Sequence, residues 1–241
     1  MTTAKDLFIV AMDRRSTGSV GQGDLSLALA GAELIDLLDA GTIGLDGDRV
    51  VPATTAPPTD GLLAAASEAL LRTAPYEPVE DWLWRRGRDL AAAYQSALEA
   101  DGQLSPERGG LLRLGARRVE LVDSPARTLA VGRLEEAEPV LGALAAAIGL
   151  VDGPADADGD GDGDAGSESV AAPEGEAVAG AGSEGDPGAR VAAGAAEDGA
   201  GDDDPVTAVL AAVNDAVMEL EAVRQRRAIE ESAFANVWRA P

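Results

Sequence analysis

Apolar residues recur at helical spacing through most of this chain. Leu25, Leu27, Leu29, Leu34, Ile35, Leu37 and Leu38 lie almost all round a helix spanning Leu25 to Ala40. A helix apolar on every side belongs at the centre of a bundle. Thr3-x-x-Asp6 ahead of Leu7, Phe8, Val10 and Ala11 reads as a capped short helix. Asp60 is placed to cap a helix through Leu71, with Leu62, Leu63, Ala66, Leu70 and Leu71 on one face. Val79 to Ala100 is expected to be the longest helix of this part, carrying Trp82, Leu83, Leu90, Tyr94, Ala97 and Leu98 inward and Arg85, Arg86 and Arg88 elsewhere. Pro125 to Leu134 is ambiguous, with a helix as one reading, and Glu138 to Leu150 is an Ala- and Leu-rich helix.

The period switches in two places. Thr42–Leu45 and Arg49–Val51 flank Asp46-Gly47-Asp48, a strong hairpin signal. Leu111–Leu114 and Arg118–Val122 are expected to pair as a second hairpin. Each hairpin follows a helix ended by a glycine, Gly41 or Gly102. The pattern is either an internal repeat or the ordinary way such bundles are connected.

The most telling element comes last. Asp204-Pro205 is a helix start, because Asp caps free N–H groups and Pro has no N–H to lose. Val206, Val209, Leu210, Val213, Val217 and Leu220 then form one apolar stripe, followed by Phe234 and Trp238. Such a stripe must pack on something that precedes it. The segment between, 152–204, is nearly all Gly, Ala, Asp, Glu, Ser and Pro, with 16 acidic side chains and one basic one, Arg190. It cannot bury enough apolar surface to offset its ordering entropy and is expected to be a disordered insert. The chain therefore divides into a helical core at 1–151, an acidic insert at 152–204 and a C-terminal helix at 205–241 that packs back on the core. The fold class is mainly α: a single-domain helical bundle with one or two small β-hairpins.

Charge and composition narrow the function. Net charge is −24, of which the insert carries −15, leaving −9 on the rest. That balance argues against a nucleic-acid partner, which needs clustered Lys and Arg; a winged-helix DNA binder, suggested by the recurring helix–glycine–hairpin pattern, is disfavoured with it. No Cys is present, hence no disulfide frame or thiol chemistry, and no His, the commonest general base and metal ligand. No Gly-x-Ser-x-Gly elbow or phosphate loop occurs, and no apolar run approaches the ~20 residues of a membrane span. Asp156 to Asp164 alternate with Gly or Ala, but a calcium loop starting at Asp156 or Asp158 would need Glu where Ser167 and Ser169 stand. The N-terminus lacks a signal-peptide pattern. A cytoplasmic protein that is no enzyme and needs no cofactor or metal is expected.

Basic charge is almost wholly arginine, 18 Arg against Lys5. It clusters at Arg14-Arg15, at Arg85/Arg86/Arg88, at Arg117-Arg118 and at Arg224/Arg226/Arg227. Exposed guanidinium groups either neutralise an acidic surface or hold a phosphate head group bidentately. Arg224, Arg226 and Arg227 lie toward the end of the last helix, where the dipole favours positive charge, so their expected role is structural.

Three motifs resemble the Golgi phosphoprotein 3-like family, and the ending resembles its bacterial members. The first is Leu7 to Asp13 with Gly18 after it. The second and most specific is Leu27-Ala28-Leu29-Ala30-Gly31-Ala32-Glu33-Leu34-Ile35-Asp36-Leu37, followed by Gly41 and Ile43-Gly44-Leu45. The third is Val79-Glu80-Asp81-Trp82 with Leu90, Leu98, Gly102 and Leu104. The likeness covers roughly residues 3–150 and 205–239. It implies a helical bundle surrounded by amphipathic helices, self-association through a hairpin, and binding of phosphatidylinositol 4-phosphate through a Trp and several Arg. Residue by residue, the family's loop tryptophan would fall near Gly21 to Gly23, where none stands. Its arginine before the signature glycine is Ala30. Of its two later arginines one matches Arg88, and the other falls at Ala91.

The expectation is a peripheral adaptor at the inner membrane face, binding an anionic phospholipid or phosphoinositide head group through Arg14, Arg15, Arg85 and Arg88. The alternative is a protein–protein interaction or scaffold module without lipid activity, a homo-oligomer built through the 111–122 hairpin.

Overall fold

In the computed structural model, residues 2–16, 20–106, 119–151 and 204–237 are described. Thr2 opens the first helix, α1 (Thr3–Asp13), its hydroxyl accepting from the Lys5 N–H at 3.3 Å. The capping residue is thus Thr2 rather than Thr3. Asp6 does not reach back to the helix start, because it is buried and paired with Arg133. A 3₁₀ turn at Arg14–Ser16 follows. The chain continues through α2 (Gln22–Asp39), the hairpin β1 (Ile43–Asp46) and β2 (Arg49–Pro52), α3 (Gly61–Glu68), α4 (Val79–Arg86) and α5 (Leu90–Ala100). Strands β3 (Leu104–Pro106) and β4 (Val119–Leu121) come next, then α6 (Pro125–Glu135), α7 (Pro139–Ala147) and the 33-residue α8 (Pro205–Val237).

Helix α2 is the hub, as its all-round apolar pattern requires. Leu27, Ala28, Leu29, Ala30, Ala32, Leu34 and Leu37 are all buried. The helix packs against α1, α3, α4, α5, α7 and α8. Gly31 allows α8 its approach, since a Cβ there would sit 2.2 Å from Cγ2 of Val213. The stripe on α8 docks as expected: Val209, Val213 and Ala216 are buried, and Val206, Leu210, Val217 and Leu220 pack at the edge. The segments on either side of the insert thus belong to one compact unit.

Most polar groups inside this core are matched, Oδ1 of Asp6 and Oε1 of Gln103 being buried without a hydrogen-bond partner. Asp36 on α2 accepts from the N–H groups of Thr3 and Ala4 at 2.8 and 3.0 Å, so one helix caps the start of another. Burial still pushes the Asp36 carboxyl above its ordinary range. Trp82 is fully buried, and its indole N–H donates to the Ala30 carbonyl at 3.3 Å. Phe8 stacks on Tyr94 with ring centroids 6.1 Å apart.

Several sequence expectations are corrected. Val79–Ala100 is two helices, because Asp89 adopts a left-handed φ of 54° that no continuous helix allows. Leu71 lies beyond α3 and is exposed, since that helix ends at Glu68. Pro125 does start a helix, with the Ser124 hydroxyl accepting from Arg127 N–H at 3.2 Å. In the second hairpin Val119–Leu121 pairs with Leu104–Pro106, and the partner expected for it, Leu111–Leu114, is outside the described residues. So are residues 115–118, Trp238 and the expected disordered insert apart from Asp204. Phe234 is exposed rather than packed.

The helix–glycine–hairpin pattern has a local cause. At Gly41 the N–H bonds to Leu38 O and the next N–H, of Thr42, to Leu37 O; at Gly102 the same pair of bonds runs to Glu99 and Leu98. Both glycines have positive φ, 61° and 70°. This is the glycine-ended helix cap, and each cap feeds a strand.

Candidate anion-binding site

Where α4 stops, three helices meet. Gly87 closes α4 and lies against α2: a Cβ there would come within 2.6 Å of Leu83 O and 3.3 Å of Ser26 O. Asp89 then reverses the backbone hand and α5 begins at Leu90. Asp89 makes no side-chain capping bond, and the free N–H of Ala91 donates instead to the Ser26 hydroxyl on α2 at 3.1 Å. Ser26 therefore ties the first turns of α2 and α5 together. The third wall is α8, whose Leu220 lies close over Gly23.

Between these walls is an open concavity of about 320 Å³, lined by Gln22, Gly23, Ser26, Leu27, Trp84, Gly87, Arg88, Asp89 and Leu220. Among these lining residues Arg88 is the one cation. One helix N-terminus, that of α2 at Gln22, opens beside it and carries partial positive charge. The first N–H groups of α5 are instead bonded to Gly87, Ser26 and Asp89, and the Asp89 carboxylate also lines the opening. Gly21 caps α2 without a side-chain bond. Asp24 in that first turn is held by Arg224, whose Nη1 lies 2.8 and 2.7 Å from the two carboxylate oxygens. Asp24 in turn holds the Arg224 guanidinium protonated still more firmly than usual. The arrangement can accept a compact anion with Arg88 on one side and Trp84 among the lining residues.

The four predicted arginines fall in three neighbourhoods. Arg14 begins the turn after α1 and donates to the Leu150 carbonyl at 3.1 Å; Arg15, next to it, is exposed. Arg85 forks onto Glu77 at 2.6 and 2.7 Å, donates to Ala69 O, and covers the Trp82 ring 5.2 Å from its centroid. Glu77 raises the Arg85 pKa, opposed by partial burial. Only Arg88 lines the concavity. Its neighbour Arg86 is directed inward onto Glu33. Arg224 is structural through its pair with Asp24 and not through the helix terminus, since α8 runs on to Val237.

Sequence reasoning missed Trp84, Gln22, Gly23 and Ser26. Trp84 and Arg88 are four residues apart in the sequence, but Arg88 lies in the turn beyond α4, so their meeting depends on the α4–α5 turn and not on helical spacing. Trp82 in the same helix drew the attention, and it is a core residue. Gly21–Gly23, the start of α2, holds no tryptophan, but Trp84 lines the same concavity from α4.

Among the described residues no group of acidic side chains is arranged to hold a metal ion. No helix among them is long and apolar enough to cross a membrane. No curated protein matches the chain. The family model for Golgi phosphoprotein 3 (GPP34) matches residues 4–220, from the first turn of α1 to the α8 residue that closes the concavity, and the chain belongs to that family.

Proposed function

We propose that the protein is a non-enzymatic peripheral adaptor that binds an anionic lipid head group, of the phosphatidylinositol 4-phosphate type, in the concavity between α2, α4 and α8. The observation that carries this reading is the convergence of Arg88, Trp84 and the N-terminus of α2 on one opening in a chain of this family. The guanidinium of Arg88 and the first N–H groups of α2 supply donors for a phosphate, and Trp84 supplies an amphipathic ring suited to a bilayer interface. Arg14 and Arg85 face other partners and Arg15 is exposed away from the lining residues, so the three are assigned no direct contact with the head group. A single arginine is a sparse set, so affinity should be modest, and its exposed charge contact is screened as salt rises.

Vesicle co-flotation tests this. Phosphatidylcholine vesicles doped with phosphatidylinositol 4-phosphate should retain the protein at low salt, and Arg88→Glu should release it while leaving the melting midpoint in place. Absence of binding at low salt sinks the proposal. Soluble inositol phosphate as competitor separates head-group capture from general attraction to an anionic surface, for which phosphatidylserine vesicles are the control. A second reading, a protein–protein module without lipid activity, draws on the exposed apolar residues Met218, Ile229 and Phe234 of α8.

A further inference from the structure

Helix α8 has two halves. As far as Leu220 it is held by the core, and the Arg224–Asp24 pair marks the last cross-helix tie. Beyond that, Val223 is half-buried, while residues 225–232 and Phe234 are exposed. Yet the core-facing stripe does not stop there. Val209, Val213, Ala216 and Leu220 share one helix face with Val223, Arg227, Glu230 and Phe234, at alternating steps of three and four residues. Arg227, Glu230, Glu231 and Phe234 line an open concavity of about 390 Å³ along this face.

We infer that this face pairs with the same face of a second copy, as an antiparallel two-helix coil centred between Ala228 and Ile229. Charge complementarity selects that occupant. One register about that centre brings Val223 opposite the second copy's Phe234 and Arg227 opposite the second copy's Glu230, each twice by the two-fold axis. The same register lays Arg224 alongside the second copy's Glu231. Two apolar layers therefore flank a central layer of two Arg–Glu pairs, and a shift of one heptad turns attraction into mismatch. A charged central layer of this kind costs stability and fixes register. Pairing within one helix is a poor substitute. Arg227 precedes Glu231 by four residues, the weaker order for a helical ion pair. Among the described residues neither of them, nor Arg226 or Glu230, makes an ion pair. The surface is distinct from the 111–122 segment expected to mediate self-association, and it is short, so the dimer is concentration-dependent.

Sedimentation equilibrium of the full chain tests the register. Wild type should dimerise with rising concentration. Arg227→Glu, which sets like charges face to face, should weaken dimerisation by more than tenfold. The charge swap Arg227→Glu with Glu230→Arg should restore it to within about threefold. The chain has no cysteine, so Val223→Cys with Phe234→Cys should oxidise to a covalent dimer that neither single variant forms. Positions 223 and 234 are about 16 Å apart along one helix, too far for a bridge within a chain. A monomer at every concentration overturns the inference. So does a dimer indifferent to Arg227→Glu, a swap that fails to restore pairing, or a dimer abolished by Leu112→Asp with Leu114→Asp.

Discussion

Arg86 forks onto both oxygens of Glu33, with Nε–Oε2 at 2.7 Å and Nη2–Oε1 at 2.9 Å, and the carboxylate is fully buried. Tyr94 donates its hydroxyl to the same carboxylate at 3.2 Å. Removing the arginine alone strands a buried charge, so Arg86→Ala should cost about 3–5 kcal/mol in denaturant melts.

The same carboxylate gives a pH signature. Burial raises the Glu33 pKa above its ordinary 4.5, against the opposing pull of Arg86 and Tyr94. A group raised in the folded state stabilises most below its unfolded pKa, and that contribution fades as pH climbs through the folded value. Relative to Glu33→Gln, wild type should therefore lose stability as pH rises from 4.5 toward neutrality. A gap between the two midpoints that stays constant over that range rules this out.

Close approach of α2 and α8 rests on Gly31. Gly31→Ala must displace Val213 and should destabilise by about 1–3 kcal/mol despite the better helix propensity of alanine. Val213→Ala opens space at the same point, so the double variant should cost less than the sum of the two singles. Additive costs in a double-mutant cycle would show that the residues do not meet.

Ala137 occupies the place a glycine holds elsewhere. Its φ is 55°, and the N–H groups of Ala137 and Glu138 bond to Leu134 and Arg133 in the pattern seen at Gly41 and Gly102. An L-residue in this region is strained by about 1–2 kcal/mol. Ala137→Gly recovers that less the entropy of glycine, so a gain of about 0.5–1 kcal/mol should appear as a higher thermal midpoint.

Replacing residues 155–202 by a Gly/Ser linker of about 15 residues should leave the midpoint unchanged or raise it slightly, since loop shortening is worth only about 1 kcal/mol. Truncation after Asp204 should unfold the domain or expose the core, because Val209, Val213 and Ala216 leave with it. A protein unfolded by the first change would refute the role of the tract as an insert.

Much of this architecture was legible because helical spacing and burial coincide. The all-round pattern of α2 and the stripe on α8 needed no tertiary information. The break at Asp89 was hidden because apolar spacing runs through it almost unbroken; Gly87 alone marked it, and its cause is contact with Ser26 on another helix. Partners of arginines were equally hidden. Nothing local distinguishes Arg86, which reaches inward to Glu33, from Arg88, which faces the opening. The concavity gathers residues from α2, the α4–α5 turn and α8, and no window along the chain contains all three.

The meeting of Gly31 with Val213 also sets an order of events during synthesis. Residues 1–151 leave the ribosome with the α8-facing side of α2 bare, and 53 residues, 152–204, emerge before its cover begins. At ordinary translation rates that interval is roughly 3–10 s. For those seconds the face of α2 that receives Val209, Val213 and Ala216 has no cover, so the apolar surface of the bundle is complete only when the last element of the chain has been made.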